Sequence, residues 1–211
     1  MKTGVLVISG IILASFAIGI YFYNAVPEQM ASHWNYAGEV DDYMSKNYGL
    51  FLMPVVSVLM VLLFIFIVKI DPLRKNIKKF MGYYIGLILA IVLFLFYLNL
   101  LSIFANLGYD FNMTQMMMPA LGILFYFIGI VLKKAKRNWF VGIRTPWTLS
   151  SDKVWDKTHL LGSRLFKIAG VISFAGIILP GYAMWFAIVP VLTFSIYLIV
   201  YSYFLFRKLK R

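Results

Sequence analysis

Apolar runs at roughly 4–25, 49–68, 81–105, 116–132, 168–180 and 184–206 dominate this chain, and the segments between them hold nearly all of its charge. A helix needs about 20 apolar residues to cross ~30 Å of hydrocarbon, and in lipid only helices or closed barrels leave no backbone group unpaired. The fifth run is short by itself, but its helix can begin in the preceding segment, and Pro180-Gly181 supplies a turn before the sixth. Of the 211 residues only 13% are charged, about half the fraction in an average soluble domain. The sequence therefore predicts an all-α integral membrane protein with six transmembrane helices. Residues 1–211 form a single polytopic domain, with an extracytoplasmic loop at 26–48 and a cytoplasmic loop and interfacial helix at 133–167.

The charges test this layout. The segment between spans one and two carries Glu28, Glu39, Asp41 and Asp42 against Lys46, whereas the segments after spans two, four and six are strongly basic. Every Lys and Arg except Lys46 falls on one side, which the positive-inside rule assigns to the cytoplasm. The expectation is a multi-pass protein of the cell (plasma or inner) membrane with both termini cytoplasmic. The net charge of +12 then reports topology and attraction to membrane lipids, with no direct nucleic-acid partner. The absence of cysteine excludes disulfides and thiolate chemistry.

No acidic residue, histidine, Lys or Arg falls well inside an apolar run, which disfavours ion-coupled transport because such work keeps charges in the membrane interior. Asn24, Ser57, Asn99, Ser102 and Thr193 read as interhelical hydrogen-bonding groups, and Gly82 and Gly86 as a G-x-x-x-G close-packing site. Met113, Met116, Met117 and Met118 read as flexible filler in an apolar helix rather than a soft-metal site.

Two polar segments carry the candidate function. In the outer one, Gly38 can turn the chain and bring His33 and Trp34 back towards Glu39 and Asp42; Asn35 and Lys46 complete a candidate ligand-binding surface. Imidazole and carboxylates can hold a metal, which makes His33, Glu39 and Asp42 the candidate ligands, but their spacing matches no established zinc signature and no cofactor is expected. The alternatives are a small folded cap, in which His33 makes a hydrogen bond, Trp34 anchors at the interface and the carboxylates face water, and a docking surface whose acidic groups attract a basic partner.

The inner segment reads Asn138-Trp139-Phe140-Val141-Gly142-Ile143-Arg144-Thr145-Pro146-Trp147 and continues through Ser150 into Asp152, Trp155, Asp156 and His159. Through Pro146 it should be extended or turning. Ser150 or Ser151 can then cap an amphipathic helix with Val154, Thr158, Leu161 and Leu165 on one face. Asp152, Asp156 and His159 also align at helical spacing. This is either an acid/base stripe or, more simply, a charged helix start with Asp156 paired to His159 or Arg144. Arg144 among Trp139, Trp147 and Trp155 suits lipid anchoring or a recruited cytoplasmic protein.

The run from Asn138 to Gly162 resembles the signature of the SdpI family, and Pro27 to Lys46 resembles the domain of unknown function that begins many of its members. The resemblance implies a six-span membrane protein, immunity to a membrane-active peptide toxin, and, in the member that names the family, signalling that holds a cytoplasmic repressor at the membrane. The leading expectation is a non-enzymatic immunity or sensing protein with a peptide partner outside and a regulator inside. A small-molecule or lipid transporter, or flippase, is one alternative. A membrane-embedded metal-dependent hydrolase is the other.

Overall fold

Six long apolar helices, two short helices and one β-hairpin form among residues 2–210, which the computed structural model describes. Helices α1 (Lys2–Phe22) and α2 (Lys46–Ile70) flank the hairpin, β1 (Gln29–Trp34) and β2 (Val40–Ser45). The short α3 (Arg74–Lys79) leads into α4 (Met81–Asn106), and α5 (Met113–Lys134) leads through the short α6 (Pro146–Ser150) into α7 (Asp152–Ser173). Two 3-10 turns, Phe174–Ile177 and Pro180–Tyr182, join α7 to α8 (Ala183–Lys210). All six long elements have the length and hydropathy to cross a bilayer. Side chains such as Leu6, Leu13 and Ile178 project outward, as lipid rather than water would allow.

The helices divide into two groups of three. Helices α1, α2 and α4 pack together, α5, α7 and α8 pack together, and α4 with α5 joins the groups. In the second group the backbones of α5 and α7 touch: a Cβ on Gly129 would lie 2.7 Å from the Ser163 carbonyl, and one on Gly170 would lie 2.6 Å from the Gly122 carbonyl. Small residues permit this approach, and the spacing of seven residues in each helix keeps the contact on one seam. The GYYIG motif does not act this way. Gly82 faces open space and Gly86 meets only the Phe127 ring, so the motif brings no two backbones together.

The outer segment folds back on itself at Gly38: Met30 opposes Met44 and His33 opposes Asp42 in an antiparallel pair, with Met30 fully buried. Two expectations need revision. The fifth span begins at Asp152, and the structure shows no break between an interfacial helix and that span. The amphipathic face buries Val154, Trp155, Thr158 and Gly162 in the bundle instead of lying on a lipid surface. For the same reason Arg164 and Lys167 belong to a long apolar helix; Lys167 lies beside Gly129 and places Nζ 5.6 Å from the Tyr126 ring centroid. Helical side chains lean towards their own N-terminus, so both cations can reach for the basic end of the bundle.

Candidate functional site

The polar segments form two structured surfaces at opposite ends of the bundle. At the hairpin end the turn is built by Asn35: its Oδ1 accepts from Ala37 N (2.9 Å) and Glu39 N (3.1 Å), and its Nδ2 donates to Glu39 Oε2 (3.0 Å). Gly38 adopts φ +86° against the Asn112 side chain, where a Cβ would collide. The hairpin is fixed to both helix groups. Asn106 of α4 pairs with both backbone groups of Ala31, accepting at 2.7 Å and donating at 3.1 Å. On the other side, Asn112 Nδ2 donates to Ala37 O (2.7 Å) and Thr114 Oγ1 to Asn35 O (3.2 Å).

His33, Glu39 and Asp42 do not converge. His33 Nδ1 contacts Asp41 (2.5 Å), Glu39 holds Asn35, and Asp42 accepts from the following Tyr43 N–H (2.8 Å). Among the described residues no cluster of three His or carboxylate groups is positioned for a metal. Lys46 Nζ pairs with Glu28 (2.7 Å) and lies 4.4 Å from the Tyr23 ring centroid, so it anchors the start of α2. Trp34 and His33 help to line a cavity of about 300 Å³ beneath the hairpin, walled by Met53, Met113, Met117 and Met184. Glu39 and Asp42 stay exposed and carry no ion pair among the described residues.

At the opposite end Asn138 is fully buried and satisfies four backbone groups: Nδ2 donates to the carbonyls of Lys136 and Val141, and Oδ1 accepts from Phe140 N and Val141 N. Phe140 is thereby turned into the core beside Trp155. Gly142 adopts φ +119° directly over the His159 ring, which leaves no room for a Cβ. Ile143 N donates to His159 Nε2 (3.0 Å), so the ring proton sits on Nδ1, which faces Trp155 O at 2.9 Å. The ring also stacks on Trp155, with centroids 3.9 Å apart. Both nitrogens are thus committed to backbone, and His159 is positioned as a strut for the loop.

Thr145 is extended, as the following proline requires, and forms a capping box with Thr148 over Pro146 at the start of α6. Its hydroxyl reaches Ser202 of α8 (3.0 Å), while Trp147 packs edge-on against Tyr203. Ser150 Oγ donates to Pro146 O (2.5 Å); Ser151, not Ser150, caps α7. Asp156 pairs with Lys136 (3.7 Å) and Asp152 with Arg137 (2.8 Å), in place of the expected His159 or Arg144 partners. Among the described residues Arg144 donates only to the Trp139 carbonyl (3.0 Å), and both residues are exposed.

Sequence reasoning missed Asp71. This buried carboxylate accepts from Leu73 N (2.6 Å) and Trp139 N (2.9 Å), and Asn76 Nδ2 donates to Arg137 O (2.9 Å), tying the first helix group to the inner loop. The available signal was an isolated acid before proline within a basic segment.

Residues 134–202, from the end of α5 through this loop into α8, match the SdpI/YfhL protein family. Residues 10–58, which contain the hairpin, match a domain of unknown function, DUF1648. Over its last helices and the loop that precedes them the chain is therefore similar to the SdpI/YfhL family. Across 200 residues, 94% of each chain, it is 28% identical to the immunity protein SdpI of Bacillus subtilis (strain 168). No solved structure matches it. The two matched segments therefore coincide with the two structured ends of this multi-pass protein.

Proposed function

We propose that this chain is a membrane immunity protein that recognises or resists a membrane-active peptide at the hairpin end. In this reading both termini and the loop after α5 lie in the cytoplasm, following the distribution of Lys and Arg. The observation that carries the reading is similarity to an immunity protein over nearly the whole of both chains, rather than over one segment. The role is non-enzymatic: the groups that resembled catalytic stripes serve as loop struts and surface pairs.

The acidic hairpin attracts a cationic peptide, and the rigid loop from Asn138 to Ser150 offers a platform for a cytoplasmic regulator. For the platform to report on the hairpin, the peptide must bind two arrangements of the bundle with different affinity. Sensitive cells expressing the chain should survive a panel of membrane-active peptides that kill cells carrying an empty vector. Equal killing by every peptide, with the protein inserted at comparable levels, overturns the reading.

A further inference from the structure

Helix α2 makes no extended contact with α5, α7 or α8, so a seam separates it from the second helix group. Two cavities lie along that seam. One is the space of about 300 Å³ under the hairpin; the other, of about 370 Å³, lies towards the basic end against Phe140, Val141, Gly142 and Ile143. They lie on the same face of each of the three helices that line both, α2, α4 and α5. On α2, Gly49 and Met53 line the first cavity, while Met60, Phe64 and Ile67 line the second. From Gly49 to Ile67 is 18 residues, five whole turns at 3.6 residues each.

Helix α4 repeats the pattern with Leu98 and Ser102, then Leu87 and Ile91. So does α5, with Met113 and Met117, then Ile128 and Val131. Met113 to Val131 rises about 27 Å, close to the ~30 Å thickness of the hydrocarbon. The seam therefore traverses the apolar layer, begins beneath the acidic hairpin and ends at the inner loop.

We infer that this seam is the binding site for a single apolar helix, of transmembrane length, with a cationic end at the hairpin. This deepens the immunity reading and rests on it: the helix would be the membrane-inserted form of the peptide. Three features favour that occupant. The length matches one span. The walls beneath the hairpin are methionine-rich, and flexible thioethers repack around different apolar surfaces. Charge complementarity sets direction, because the hairpin over one end carries exposed Glu39 and Asp42, which make no ion pair among the described residues.

The test uses the full chain in phosphatidylethanolamine–phosphatidylglycerol nanodiscs, with a photo-crosslinking amino acid at Met53, Met60 or Ile128 on the seam, or at Leu59 or Leu62 facing outward. The probe is a synthetic helix of about 20 Leu and Ala residues with two Lys at one end. Seam positions should cross-link to the probe at least fivefold more than the outward positions, and E39Q/D42N should cut this several-fold. Equal labelling at all positions, products with lipid only, or products between two copies of the chain each overturn the inference.

Seam filling by Met53→Trp or Ile128→Trp separates it from the immunity reading, with Met53→Leu as the conservative control. Both Trp variants, when correctly inserted, should lose protection that Met53→Leu retains. Protection kept by both Trp variants overturns the seam alone. Strong cross-linking with no protection by the natural chain overturns immunity alone.

Discussion

Individual side chains hold the inner loop by accepting backbone N–H groups, and this makes their removal costly. Replacing His159 with alanine leaves the Ile143 N–H unpaired beside a new cavity. An unsatisfied buried donor alone costs about 1–3 kcal/mol. H159A should therefore lower the thermal midpoint of the protein in detergent, and G142A should do the same because its Cβ collides with the imidazole and strains a positive φ. Asp71→Asn removes a charge-assisted bond to Trp139 N and should make Arg137 and Arg144 faster trypsin sites, read by mass spectrometry of the first cleavage products. Unchanged cleavage kinetics would show that Asp71 does not hold the loop. None of these bonds is legible in sequence, because each joins residues whose proximity depends on the fold. Some local signals were legible: the proline after Thr145 made that residue extended, and Gly38 and Gly142 marked turns, but the short helix α6 capped by Thr145 was not anticipated.

The helices and hairpin follow from a few pattern rules, with tertiary contact deciding the exceptions. Hydropathy located α1, α2, α4, α5 and α8 because their apolar runs approach the bilayer length. It shortened α7 because the polar half of that helix is covered by protein rather than lipid, so residues such as Thr158, His159 and Ser163 are tolerated in a spanning element. The close seam between α5 and α7 was equally hidden: its glycines are spaced by seven, whereas the more familiar G-x-x-x-G of α4 faces open space at Gly82 and a phenyl ring at Gly86. Gly129→Leu should force these backbones apart at a cost of about 1–3 kcal/mol or more. The outcome to measure is loss of the folded monodisperse species after extraction, with Gly82→Leu as the tolerated control. On the hairpin, N106A should speed amide exchange at Ala31 about tenfold, corresponding to ~1.4 kcal/mol, because that N–H loses its partner.

For the whole molecule, the orientation read from charge makes a direct labelling prediction. The natural sequence contains no cysteine, so single cysteines at His33 and Arg144 give clean reporters at two exposed sites. A membrane-impermeant maleimide should label position 33 in intact cells and position 144 only after permeabilisation. Labelling of both in intact cells would overturn the assigned sidedness. The positive-inside pattern was legible because it depends on counting Lys and Arg along the chain. The separation into two helix groups was not, because hydropathy says which residues face something apolar without saying whether that is lipid or another helix.

Three crossings in each group is an odd number, so α5 enters the bilayer in the opposite sense to α1. Each group then runs helix, long insert, helix, short link, helix: the hairpin fills the first insert and the loop from Ala135 to Ser151 fills the second. By connectivity the second half therefore repeats the first in the opposite sense. A single chain of modest size thereby offers one shaped polar feature to each side of the membrane, and a tilt between the halves would move both features together.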